Sequence, residues 1–262
     1  MDNHYAGMDT VGVVLRLERG SVFDGEGFRT VVFLKGCHMS CKWCSTPESQ
    51  NFEIERTLDG KTVYGKAMTV EDVMKEVRKD TLFYFHSGGG LTMSGGEVMA
   101  QPEFTKAVLR QSQREGINTA IETAFYAKWE ICKSVIEYVD TAYIDLKAVD
   151  PDIHKANCGV DNKSILENLL HTNEVDLPLK IVIRTPVVPG VNDNDEELTR
   201  IASFVTRLDK VDHMQLLPYH QLGTTTYEKL GRFYMLKDVE PPTDEQMDHY
   251  RDVVSRTFPN VI

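Results

Sequence analysis

Six short apolar runs, at residues 30–35, 91–94, 119–123, 141–146, 180–185 and 214–218, alternate along this chain with helical patterns at residues 70–79, 103–115, 128–139, 164–173, 196–208 and 244–257. The runs are too short for buried helices and rich in β-forming residues, whereas the segments between them repeat apolar residues at helical spacing. Strands separated by helices pair in parallel through right-handed crossovers. Six such units are too few for a closed eightfold barrel. The expectation is therefore an α/β fold, an open partial (β/α)6 barrel of parallel strands.

In barrels of this kind ligands gather where the strands end, so the residues just beyond each run are the candidates for chemistry. The first run is followed by Gly36-Cys37-His38-Met39-Ser40-Cys41-Lys42-Trp43-Cys44. The other five end at Ser94-Gly95-Gly96-Glu97, at Glu122-Thr123, at Asp145-Leu146-Lys147, at Arg184 with Val188-Pro189-Gly190, and at Pro218-Tyr219-His220. All six sets point to one mouth. Three cysteines on one loop can hold three irons of a [4Fe-4S] cluster, and no fourth cysteine lies nearby to close the last iron. Structural zinc usually takes four protein ligands in separated pairs, and His38 would have to join from between two cysteines of a cramped loop. A disulfide framework fits worse, because five cysteines in 262 residues are sparse and odd in number. Cys132, in a helical pattern, and Cys158, read as lying in a loop, are expected to be small apolar or spare thiols.

Composition narrows the partners. A formal net charge of -11 lacks the clustered basic residues that nucleic-acid binding needs. No run approaches the length that spans a bilayer and no apolar signal segment is seen, so the chain is expected in the cytoplasm, with no membrane partner. A reducing compartment also leaves the three thiols free for iron.

The spacing C-x3-C-x2-C after Val31-Val32-Phe33-Leu34 and Gly36 resembles the cluster loop of the radical S-adenosylmethionine (SAM) enzymes. Asp24-Gly25-Glu26-Gly27-Phe28-Arg29 before the loop, and Trp43-Cys44-Ser45-Thr46-Pro47-Glu48-Ser49 across its end, resemble the glycyl-radical-enzyme activating enzymes, the group that includes pyruvate formate-lyase activating enzyme. The similarity extends from about residue 13 to the C-terminal helix. It implies one radical SAM domain over residues 1–262, with the cluster loop at 36–46 and a C-terminal loop and helix at 221–262.

The resemblance implies a [4Fe-4S] cluster on Cys37, Cys41 and Cys44, and SAM on its open iron, cleaved to a 5'-deoxyadenosyl radical that takes hydrogen from a backbone glycine of a partner glycyl radical enzyme. A flavodoxin or ferredoxin would supply the electron. For SAM it implies contacts from Trp43, Ser45, Gly95, Gly96, Glu97, Asp145, Leu146, Lys147, Arg184 and His220. The Ser-Gly-Gly-Glu run would hold the methionine amino end, Lys147 would neutralise an oxygen of SAM while Asp145 fixes its orientation, and His220 would lie beside the adenosyl group. No side chain is expected to act as a general acid or base, because the chemistry is radical. A monovalent cation is implied at Glu122, Thr123 and Asp145, although the pyruvate formate-lyase group has aspartate where Glu122 stands. Asp24 is expected to meet the partner.

Other departures bear on substrate. Glu26 stands where many relatives have proline, which loosens the turn. Ser45 and Thr46 replace the histidine and asparagine of the pyruvate formate-lyase group, and residues 53–66 are short and free of cysteine, so extra clusters are not expected. The competing expectation is a radical SAM enzyme for a small molecule or free peptide, which would usually need an added substrate domain or lid. A bare iron-sulfur electron carrier would not need six convergent strand ends. Residues 87–90, a Ser followed by three Gly, read as a flexible approach loop.

Overall fold

A computed structural model describes residues 7–262; residues 1–6 of the expected domain lie outside the described residues. The chain forms strands β1 (Val11–Ser21), β2 (Arg29–Leu34), β3 (Glu55–Arg56), β4 (Val63–Tyr64), β5 (Lys66–Thr69), β6 (Gly90–Gly95), β7 (Asn118–Thr123), β8 (Thr141–Asp145), β9 (Lys180–Val187) and β10 (Val211–Pro218). The helices are α1 (Val70–Val77), α2 (Thr81–Ser87), α3 (Pro102–Arg114), α4 (Trp129–Ile136), α5 (Pro151–Cys158), α6 (Lys163–His171), α7 (Asp195–Val205), α8 (Thr224–Lys229) and α9 (Asp244–Ser255).

All but β3 and β4, which pair as a small ribbon, join one sheet in the order β10-β9-β8-β7-β6-β2-β1-β5. The six strands from β2 to β10 are mutually parallel and follow chain order, so each crossover carries the chain to the next position. β10 does not return to β2, and the expected open partial (β/α)6 barrel is what forms. β1 and β5 extend it as antiparallel strands. At the far end residues 260–262 lie along the outer side of β10: Met214 N–H donates to the Asn260 carbonyl at 2.9 Å, and Ile262 N–H to that of Met214 at 3.0 Å.

Period two along the strands sorts their side chains. Ile121, Ala142, Ile144, Ile181 and Ile183 face the helices, where they share a core with Val73 of α1, Val108 of α3, Ile136 of α4, Leu169 of α6, Ile201 of α7 and Val254 of α9. Ala120, Tyr143 and Val182 form a separate buried group on the other face, and two residues further on the same face come Glu122, Asp145 and Arg184. The pleat thus aims the polar strand ends inward. The outer helices start on reciprocal caps, Thr69 with Asp72 on α1 and Thr243 with Gln246 on α9.

The base of the barrel is closed by a charge. Arg29 is 1% exposed; its guanidinium donates to Thr92 Oγ1 and to the Leu91 carbonyl, both at 2.6 Å, and to Asn118 Oδ1 at 3.0 Å. Burial pulls its pKa down. Replacing Arg29 by Met would leave those acceptors unpaired, and we expect a loss of about 2–4 kcal/mol in urea unfolding; a loss below about 0.5 kcal/mol would contradict that role.

Several readings change. Residues 221–262 hold two helices, α8 and α9, rather than one. Cys158 ends α5 instead of lying in a loop. Residues 87–90 are fixed: Ser87 Oγ accepts from Phe28 N–H at 2.9 Å, and a Cβ on Gly89 would sit 2.0 Å from the Phe28 carbonyl oxygen. Close backbone approach explains Gly89 and Gly90, and a left-handed φ of 71 explains Gly88.

Candidate active site

The cluster loop leaves β2 and is fastened at both ends. Gly36 N–H donates to the Ser49 carbonyl at 2.7 Å and Cys37 N–H to that of Gln50 at 3.0 Å. Below the turn the Lys35 side chain, fully buried, donates to the Glu48 carbonyl at 2.6 Å and to Glu55 at 3.0 Å. Arg232, just beyond α8, bonds the Pro47 carbonyl and Glu55 from above. These tethers run through the loop's backbone and flanking side chains and leave its thiols to face the cavity.

Cys37, Cys41 and Cys44 are free and line one cavity of about 550 Å³ at the C-terminal ends of the strands. Burial, then the Glu97 charge, pushes the Cys37 thiol up to about 12. Burial, then Cys41, pushes Cys44 up to about 11. Cys41 is raised by its hydrogen bond with Cys158 and by burial. All three therefore keep their protons at neutral pH until a metal displaces them. Among the described residues no three His, Cys, Asp or Glu converge on a single ion. That argues against one zinc shared by the three thiols, whereas a polynuclear cluster would take each sulfur on a different iron.

At the end of the neighbouring strand β6, Gly95 takes φ 113, open to glycine. A Cβ on Gly96 would lie 2.4 Å from the Gly36 carbonyl oxygen and 2.8 Å from that of Ser49. The second strand end is thus pressed against the cluster loop. We expect Gly96→Ala to push the two apart and to cut iron incorporation at least tenfold while most of the fold persists; wild-type iron content in that variant would show that the contact is dispensable.

Lys147 is buried and ion-paired with Asp145 at 2.7 Å. Burial opposes its charge, but Asp145 and the nearby sulfurs more than restore it, so its pKa ends above the ordinary lysine value. Trp43, Ser45, Arg184, His220 and Asp24 also line the cavity. Asp24 is tethered by the Ser21 hydroxyl, and its carbonyl accepts from Thr92 Oγ1 at 2.7 Å.

Two of the residues expected as contacts turn their side chains away from the cavity. Glu97 is 1% exposed and does not line the cavity; its carboxylate accepts from Thr123 Oγ1, from Ala124 N–H at 2.9 Å and from Met99 N–H at 3.0 Å. Burial raises its pKa against those bonds. It braces the glycine turn from behind. Leu146 faces the helices by strand alternation and belongs to the core.

The groups implied for a cation all have partners within the protein. Glu122, raised by burial against the Arg184 charge, bonds Arg184 and Ser94. The Thr123 hydroxyl is committed to Glu97 and Asp145 to Lys147. Arg184 also donates to Gln215 at 3.0 Å and stacks on Tyr143, its Cζ 4.2 Å from the ring centre, so the positive charge beside Glu122 comes from the protein. Two residues that sequence reading missed belong here: Arg16 of β1, a cavity residue that lies over the Phe33 ring, and Cys158, in the apolar group against which Cys41 packs. A charged residue in an unrecognised strand gave no signal for the first.

The sequence model of the Radical SAM superfamily matches residues 31–202. An isethionate sulfite-lyase activating enzyme of Oleidesulfovibrio alaskensis is 39% identical over 85% of this chain and 88% of its own length. That alignment runs over 274 positions, more than the 262 residues of the whole chain, so the relative carries residues that this chain lacks. A pyruvate formate-lyase-activating enzyme of Clostridium pasteurianum is 34% identical over 90% of this chain and 94% of its own. Among solved structures, a domain of a pyruvate-formate lyase-activating enzyme from Bacteroides vulgatus superposes with TM-score 0.56 at 27% identity, covering 67% of this chain and 98% of that one.

Proposed function

Because this chain belongs to the radical SAM superfamily, and within it to the activating enzymes of glycyl radical enzymes, we propose that the cavity holds a [4Fe-4S] cluster on Cys37, Cys41 and Cys44 with SAM beside it, and that its mouth admits the glycine-bearing loop of the partner. The observation that carries this is the placement of the three thiols in one cavity with Gly95, Gly96, Lys147 and His220. Bound there, the reduced cluster and SAM supply the one-electron cleavage that yields a hydrogen-abstracting radical.

The chain's own part is to bind, orient and enclose. The backbone at Gly95 and Gly96 leaves room for the amino end of SAM. Lys147, held charged by Asp145, faces a carboxylate, with Arg184 adding positive charge in place of a monovalent cation. Trp43 and Ser45 flank the third cysteine, and His220 stands at the rim for the adenosyl group. Tyr219 and Tyr234, hydrogen-bonded to each other at 2.8 Å in the apolar group that surrounds the thiols, keep water from the sulfurs. Asp24 sits where the partner loop would enter. A flavodoxin or ferredoxin is the proposed electron donor, by family resemblance. No helix among the described residues is long and apolar enough to cross a membrane; five free cysteines favour a reducing, cytoplasmic setting.

The test is anaerobic reconstitution and reduction, then addition of SAM with either isethionate sulfite-lyase or pyruvate formate-lyase as candidate partner. A glycine-centred doublet in electron paramagnetic resonance, with 5'-deoxyadenosine formed, supports the proposal and identifies the partner. Deoxyadenosine with no doublet on any glycyl radical enzyme would favour a small-molecule substrate.

A further inference from the structure

The C-terminal end of α5 carries a thiol that none of these roles uses. Cys158 is fully buried and is followed by Gly159 at φ 82. Two backbone bonds lace the cluster loop to this helix end and straddle Cys41: Ser40 N–H donates to the Cys158 carbonyl at 2.9 Å, and Lys42 N–H to that of Asn157 at 3.0 Å. The Lys42 ammonium reaches Asn157 Oδ1 at 3.0 Å, and the Asn157 amide donates back into α5 at the Ile153 carbonyl. A Cβ at position 159 would lie 2.2 Å from Ser40 Oγ. Held so closely, Cys41 and Cys158 pack in one apolar group with Met39, Trp43 and Ala124. Cys132 is unlike it, bonded to the Phe125 carbonyl and to Asn168 in the outer core.

We propose that Cys158 is a positioning residue for the cluster: its S–H donates to the Cys41 sulfur once that sulfur is bound to iron, and thereby sets how readily the cluster accepts its electron. This rests on the assignment of Cys41 as a ligand. A sulfur bound to iron has no proton to give, so in the loaded protein only Cys158 can be the donor. Reduction makes the cluster more negative, and a donor aimed at a ligand sulfur is held more strongly by the more negative state, which raises the reduction potential. With Cys158 shut off from solvent, no water replaces the bond if it is removed.

The experiment is a redox titration of the reconstituted [4Fe-4S] protein by electron paramagnetic resonance, with iron content measured alongside, for Cys158→Ala, Cys158→Ser and the volume-matched Cys158→Val. All three are expected to hold the parent's iron. Ala and Val should lower the ratio of reduced to oxidised cluster at the parent's midpoint about tenfold, which for a one-electron couple is about 59 mV. Ser, whose hydroxyl still donates, should restore most of it. An unchanged midpoint in Ala and Val with a full cluster overturns the proposal, as does loss of iron in all three, which would make Cys158 a ligand. If Cys41→Ala itself retains a full cluster, the ligand assignment fails first and the role of Cys158 falls with it.

Discussion

Cys41→Ala protein, reconstituted anaerobically, is expected to hold no [4Fe-4S] cluster and to release 5'-deoxyadenosine only at background. Burial keeps the neighbouring thiols protonated, with Cys37 up to about 12 and Cys44 up to about 11, so each must surrender a proton as iron binds. Three iron-sulfur bonds together can drive that loss. Two of them, with the middle position of the loop empty, cannot hold three irons. The fold should survive, because the loop is fastened through its backbone and through Lys35 and Arg232 rather than through its thiols. Iron analysis and far-ultraviolet circular dichroism on one sample separate the two effects; full SAM cleavage by this variant would sink the three-thiolate assignment.

Lys147→Met should raise the KM for SAM about 30- to 100-fold, or about 2–3 kcal/mol at 1.4 kcal/mol per decade, with little change in unfolding. The asymmetry comes from where the two partners sit. The Lys147 side chain is 8% exposed and that of Asp145 39%. Methionine fills the space, and the abandoned Asp145 turns to cavity water, so the folded state loses little. SAM loses more: its carboxylate would face Asp145 with no charge between them. An unchanged KM would make the pair a structural bond at a strand end, the weaker reading of the same geometry.

The barrel was legible because buried parallel strands are apolar on both faces, as in the fully buried β2. β1 was not. Its Arg16, Glu18 and Arg19 look like solvent-facing charges, but Arg19 bonds the buried Asp80, 61 residues away, and Arg16 reaches Glu48. α5 carries a readable start, Asp150 before Pro151, but its polar composition gives little helical periodicity. Within the site, motifs placed the loops correctly and the side chains less well. Glu97 belongs to a run that faces the cavity, and only the fold shows that its carboxylate turns back to Thr123, 26 residues on. The Glu122 and Arg184 pair, 62 residues apart on β7 and β9, is equally invisible along the chain. Cys158 read as a spare thiol because nothing local brings it to Cys41.

An incomplete barrel has a liability that a closed one lacks: its last strand offers a row of unpaired amides and carbonyls, a ready template on which another chain can add and aggregate. Residues 260–262 occupy that row on β10. Their three hydrogen bonds to Met214 and Leu216 let the wall stay open while denying that stretch of its edge to nonspecific strand addition.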